Sequence, residues 1–259
     1  MYNINDKLAA LQPYEPITGS YEVRLDANES CLAIPDKIKK SVLEAVMNVE
    51  YNRYPDPYAE KLCQTFGEYY GIPSECITAG NGSDELIGVI VASFLQKGDK
   101  ILTFEKDFSM YGFYAYLYEN DVVKQKKTDD LRIDVDSVLE TLKDKSIKAL
   151  LFSNPCNPTS LGLTRSDVRR IITATDALVV LDEAYMDFWD QSLLGEVRDY
   201  DNLIILRTCS KAIGLAALRV GFAVANERLT KAIRAAKSPY NVNTLSQAAG
   251  EAVLSCKEA

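Results

Sequence analysis

Histidine is missing altogether from the 259-residue sequence, and with it go Cys-His dyads, Ser-His-Asp triads and the usual zinc clusters. None of the six cysteines belongs to a CxxC pair, which removes the common dithiol and zinc spacings as well. Free, buried thiols are expected for all six. Basic residues are in the minority: 29 Lys and Arg stand against 37 Asp and Glu, for a formal charge of -8. Nothing here suggests a broad cationic surface for nucleic acid or an anionic membrane. The short lysine clusters at 37–40 and 124–127 read as solvated faces. No window approaches the ~20 apolar residues of a membrane span, and no basic segment followed by an apolar run opens the sequence. A reducing cytoplasm is the expected setting, and the chemistry needs a base other than histidine.

What is present is an ordinary folded composition, 47% hydrophobic and 25% charged, enough for one sizeable core or one large domain with part of a second. Residues 1–30, rich in Tyr, Asn and Pro, read as an arm with little regular structure. A helical pattern covers 35–49, and a second helix carries Leu62 and Phe66. From Cys76 onward, apolar runs expected as strands at 100–104, 122–125, 148–152, 178–181, 203–206 and 220–225 alternate with helical patterns at 84–96, 110–118, 135–142 and 165–174. This alternation predicts an α/β fold, a mainly parallel sheet sandwiched by helices. Ligands of such sheets sit beyond the carboxyl ends of the strands. After 227 comes helix, a break near 238–243, then more helix. The expected division is an arm (1–30), a large domain (31–237, with 31–70 its leading helical region) and the start of a small C-terminal domain (238–259). The rest of that small domain is expected to have been truncated.

Four polar strings fall where the sheet would end. AGNGSDEL places Ser83 and Asp84 at a helix start beside glycines, which reads either as an ordinary N-cap turn or as a phosphate cradle. SNPCNPTS follows a strand, and its two Asn-Pro steps impose a rigid course that can aim Asn157 at a ligand oxygen or serve the turn alone. VVLDEAY leaves Asp182 at a strand end, where a carboxylate is costly unless paired or hydrogen-bonded, with Tyr185 three residues on. LRTCSKAIGLAALRVGF combines Ser210, Lys211 and Arg219. A lysine amine is the one group here suited to covalent catalysis through an imine, and Arg219 can grip a phosphate bidentately.

Together with PYEP, LDANES, YNRYPDPYAEKL and FSMY, these strings resemble, in order from Pro13 to Gly221, the fold type I pyridoxal-phosphate enzymes. Within them the sequence looks like the histidinol-phosphate aminotransferases. The resemblance implies pyridoxal 5'-phosphate held as an imine by Lys211, which also shuttles the proton. It implies Asp182 at the pyridine nitrogen, Asn157 and Tyr185 at the ring hydroxyl, and Tyr111 stacked on the ring. Ser83, Asp84, Ser210 and Arg219 would surround the phosphate, joined by Tyr54 of the neighbouring subunit, so a homodimer is implied. Tyr14, Asn28 and Tyr54 match positions on the substrate side. The implied reaction moves the amino group of L-histidinol phosphate to 2-oxoglutarate. Phosphothreonine decarboxylases and aromatic amino-acid aminotransferases share much of the pattern, and a cofactor-binding fragment without turnover is a further alternative. Two departures stand out: Ser160 follows NPT where glycine is usual, and Cys209 replaces an aromatic before SK.

Overall fold

The computed structural model describes residues 2–256. Its seven strands are β1 (Ile77–Asn81), β2 (Lys100–Phe104), β3 (Asp121–Gln125), β4 (Ile147–Ser153), β5 (Leu178–Asp182), β6 (Leu203–Thr208) and β7 (Val220–Ala225). They form one sheet in the order β1-β7-β6-β5-β4-β2-β3. β2 to β6 are mutually parallel, and β7 alone runs antiparallel to its neighbours β6 and β1. The runs in β5 and β6 are almost continuously apolar because both faces are covered.

Alternate strand residues feed two layers. Ile101, Leu151, Val180, Ile204 and Ala223 pack under α4 (Gly82–Phe94), α5 (Met110–Leu117) and α8 (Glu227–Ala236). On the other face, Leu102, Phe152, Leu181, Ile205 and Phe222 meet α2 (Asp36–Met47), α3 (Glu60–Tyr70), α6 (Val135–Thr141), α7 (Arg165–Thr173) and α9 (Thr244–Leu254). Caps set several of the helix starts: Thr164, Asn226 and Asn243 accept backbone N–H groups of α7, α8 and α9.

Three local expectations are corrected. Ile77–Asn81 is a strand, although ITAGN has only one large apolar residue, and α4 begins at Gly82, two residues before the expected start. The arm contains a short helix, α1 (Asp6–Ala9), capped by Asn5. All six cysteines are free, yet Cys31, just after the arm, is exposed and Cys256, just past α9, is half-buried. Among the described residues no helix is long and apolar enough to cross a membrane.

Candidate active site

Strand register brings the polar strings to one edge of the sheet. Ser153 at the end of β4 pairs with Asp182 at the end of β5, and Asp182 pairs with Leu206 in β6. Because β7 is reversed, its start faces this same edge: Thr208 lies opposite Gly221, and Asn81 opposite Val220. Residues that leave β1, β4, β5 and β6 therefore meet the one that enters β7, Arg219. The chain between β6 and β7 carries Ser210, Lys211 and Arg219, and its base is held by the Cys209 N–H on the Val220 carbonyl at 3.0 Å.

At one end lies an anion cup. The first turn of α4 has no side-chain cap, so its N–H groups remain available to a ligand. Gly80 faces Gly221 across the β1–β7 pair. A Cβ on Gly221 would lie 2.3 Å from the Ser83 nitrogen, so α4 sits down on the sheet only over glycine. Gly82 adopts φ +75°, which favours glycine, and a Cβ there would also meet the Arg219 side chain, with Nη2 at 2.7 Å. Arg219, itself at φ +51°, donates from Nη1 to Ser210 Oγ at 3.2 Å and to the Ala216 carbonyl at 3.1 Å. The Asp84 carboxylate takes the Tyr114 hydroxyl at 3.1 Å, leaving its backbone N–H as the group suited to an anion.

Asp182 is 4% exposed. It accepts the Tyr111 hydroxyl at 3.0 Å and the Ala184 N–H at 3.0 Å. Among the described residues no lysine or arginine forms an ion pair with it, and burial pushes its carboxyl up to about 6. A buried carboxylate in this state calls for a cation. The adjacent Glu183 points to the opposite side of the chain, into a buried cluster where it accepts from Arg207 Nη1 at 3.1 Å, Ser192 Oγ and the Leu193 N–H. Arg207 also holds Asp187, which accepts the Tyr70 hydroxyl. The sequence reading missed this pair, whose only signal was a second acid after Asp182 and a lone arginine inside an apolar strand.

Lys211 lies between these elements. Its Nζ donates to the Ala27 carbonyl at 2.7 Å and lies 5.7 Å from the Tyr185 ring centroid. Burial first, and the nearby Arg219 second, lower its ammonium pKa and favour the free amine. Asn28 (φ +52°) donates to the Tyr185 hydroxyl at 2.9 Å. Lys211, Tyr185, Asn28 and Asn157 line a cleft of about 910 Å³, walled on one side by Arg24, Leu25 and Ser30 of the arm. The turn that carries Asn157 is fixed by the buried Asn154, which exchanges hydrogen bonds with the Leu163 N–H and carbonyl. Ser160 in that turn does adopt positive φ, +59°, at about 1 kcal/mol for a residue with a Cβ. Cys209 is fully buried, which pushes its thiol up to about 12 and keeps it inert.

Not every expected residue converges. Tyr14 is 85% exposed and Tyr54 81% exposed; Tyr54 stacks on Tyr240 at 4.6 Å between centroids, outside the cleft. Tyr111 is 1% exposed, and its hydroxyl serves Asp182. Phe108, half-buried and edge-on to Tyr111 at 5.6 Å, is the more open ring of the two. The set suits a flat ligand with a protonatable ring nitrogen for Asp182, a carbonyl for Lys211 and a phosphate for the α4–Arg219 cup. Pyridoxal phosphate has all three.

The family described as aminotransferase class I and II matches residues 21–259. A histidinol-phosphate aminotransferase of Clostridium kluyveri is 43% identical over 247 residues, covering 94% of this chain and 70% of that protein. The crystal structure of histidinol-phosphate aminotransferase from Sinorhizobium meliloti in complex with pyridoxal-5'-phosphate superposes with a TM-score of 0.88 at 23% identity, over 98% of this chain and 72% of that one. L-threonine-O-3-phosphate decarboxylase from Porphyromonas gingivalis shares the fold at a TM-score of 0.71 and 24% identity, over 85% and 68% of the two chains.

Proposed function

Because the chain belongs to the class I and II aminotransferases, and among them to the histidinol-phosphate aminotransferase family, we propose that it moves the amino group of L-histidinol phosphate to 2-oxoglutarate. The products are imidazole acetol phosphate and L-glutamate. The cofactor is pyridoxal 5'-phosphate, which when bound supplies a sink for the electrons left as the substrate loses its α-proton. The single observation that carries this reading is the buried Asp182, which forms no ion pair with a lysine or arginine among the described residues, one strand away from the loop of Lys211.

Each protein group has a separate task. Asp182, oriented by Tyr111, keeps a proton on the ring nitrogen. The Ser83 and Asp84 N–H groups, Ser210 and Arg219 hold the phosphate, while Asn157 and Tyr185 hold the ring hydroxyl. Lys211 attaches the cofactor and later takes the α-proton from the substrate at Nζ; its lowered pKa increases the share of free amine at neutral pH. The arm carries Asn28 over the cleft and, with Tyr14, forms the substrate side. Tyr54 is assigned to the phosphate of a second copy, for which its exposed position is suitable; the working unit is then a homodimer, set in the cytoplasm.

The test is reconstitution with pyridoxal phosphate, borohydride reduction and peptide mapping. The reduced adduct is expected on Lys211 and is lost in Lys211→Ala; an adduct that persists in the variant overturns the assignment. Incubation with histidinol phosphate and 2-oxoglutarate is expected to yield glutamate. Carbon dioxide release from phosphothreonine without amino transfer would reassign the reaction.

A further inference from the structure

Beside the cleft, the loops that leave β2, β3 and β4 bury a second chemical group that the transamination reading does not use. Lys127 Nζ lies 2.9 Å from Cys156 Sγ, inside the sum of the nitrogen and sulfur van der Waals radii. The same nitrogen donates to the Lys106 carbonyl at 3.2 Å and stands 3.9 Å from Asp107 Oδ2. The Cys156 thiol is directed at the Lys106 carbonyl, 3.5 Å away. The Lys127 and Asp107 side chains are 2% and 1% exposed, and Cys156 is 4% exposed. Amine, thiol and carboxylate are thus held against one another, and the contact is reachable by a small molecule. Lys127 and Cys156 both line a cavity of about 230 Å³, and Cys156 also lines the main cleft.

We propose that Lys127 and Cys156 form a reversible oxidative modification site, an N–O–S bridge made with hydrogen peroxide as the oxidant. The first peroxide converts the thiol to a sulfenic acid and leaves as water. Asp107 accepts the ammonium proton and frees the Lys127 amine. A second peroxide then removes one hydrogen from the amine and one from the sulfenic acid as the N–O bond forms, leaving two waters. The balance is Cys-SH + Lys-NH2 + 2 H2O2 → Cys-S-O-NH-Lys + 3 H2O. Sulfur and nitrogen each give up two electrons, and each peroxide accepts two. The 2.9 Å contact is close to the span of one inserted oxygen, whereas a direct S–N bond would draw the atoms far closer. Two equivalents of a dithiol such as dithiothreitol supply the four electrons that reverse the reaction, and the bridging oxygen leaves as water.

The bridge would tie the segment after β3 to the turn that presents Asn157, closing a loop between residues 29 apart. Like a disulfide, it restricts the unfolded chain more than the folded one, so oxidation stabilises this wall of the cleft and keeps Cys156 from irreversible oxidation. The chemistry of the bridge does not depend on the aminotransferase reading.

The test treats the cofactor-loaded protein with stoichiometric peroxide, followed by a non-reducing digest and mass spectrometry. The expected product is one peptide pair joining Lys127 to Cys156, heavier than the sum of its parts by one oxygen and lighter by two hydrogens, and absent after dithiothreitol. The bridged protein is expected to melt several degrees above its reduced form. Lys127→Arg and Cys156→Ser remove the peptide pair, and the wild-type mapping stands even where a variant folds poorly. A sulfinic acid on Cys156 beside a free Lys127, a joined pair without the added oxygen, or an unchanged melting temperature in the bridged protein overturns the proposal.

Discussion

Replacing Asp182 by Asn is expected to make the cofactor-free protein more stable while disabling it as an enzyme. The carboxyl rises from 3.8 to about 6 on burial, and at about 1.4 kcal/mol per pKa unit the ionised group opposes folding by about 3 kcal/mol. The sign follows from proton binding. Between these two values the folded chain holds more protons than the unfolded one, so stability falls as pH rises, and the full penalty is present above about 6. Asparagine fills the same space without charge. Its oxygen can accept the Ala184 N–H and its amide can donate to Tyr111, at a cost of about 1 kcal/mol for the rearranged hydrogen bond. Urea unfolding of stripped Asp182→Asn at pH 8 should therefore show a gain of about 2 kcal/mol over the parent. Roughly half of the charge penalty remains at pH 5 and little at pH 4. With cofactor the order reverses, because a protonated ring nitrogen gives the carboxylate its missing cation. A variant less stable than the parent at pH 8, or a gain that does not change with pH, refutes the reasoning.

Two other substitutions test the scaffold. Gly221→Ala would place a Cβ 2.3 Å from the Ser83 nitrogen and 2.4 Å from the Gly82 carbonyl carbon; thermal unfolding should register a loss of about 2–3 kcal/mol, accompanied by weaker cofactor binding as α4 is lifted. Arg207→Ala leaves Glu183 buried without its cation, so chemical denaturation at pH 8 should show a loss of about 3–5 kcal/mol. Burial already raises the Glu183 pKa, and protonation relieves the unpaired charge, so this loss shrinks as pH falls; a pH-independent loss would count against the unpaired charge as its cause.

The parts of this fold legible in the sequence are those that depend on continuous burial. The runs LVVLD and LIILRT have to be central strands because they are apolar on both faces, and their polar ends mark the ligand edge. β1 was hidden for a physical reason: Gly80 and Gly221 face each other so that α4 can lie close, and a five-residue strand with Ile77 as its one large apolar side chain lacks the pattern by which strands are read. The lysine, carboxylate and arginine declared themselves by residue type. The Tyr111–Asp182 hydrogen bond did not, since it spans 71 positions and depends on how α5 is turned against the sheet. The Lys127–Cys156 contact was equally invisible. KQKK reads as a solvated run, and only the loop after β3 turns Lys127 inward.

The reversed strand β7 has a further consequence, in the order of assembly. β6 and β7 are neighbours in the sheet and are joined by residues 209–219 alone. Asn81, by contrast, must find Val220 across most of the chain. The entropy of closing that longer loop is greater by about 2 kcal/mol, so the hairpin with Lys211 and Arg219 closes early and the edge strand β1 docks late. The phosphate cup is shared between them. A ligand held there binds only the finished sheet, and its affinity adds directly to the free energy that keeps the last strand in place.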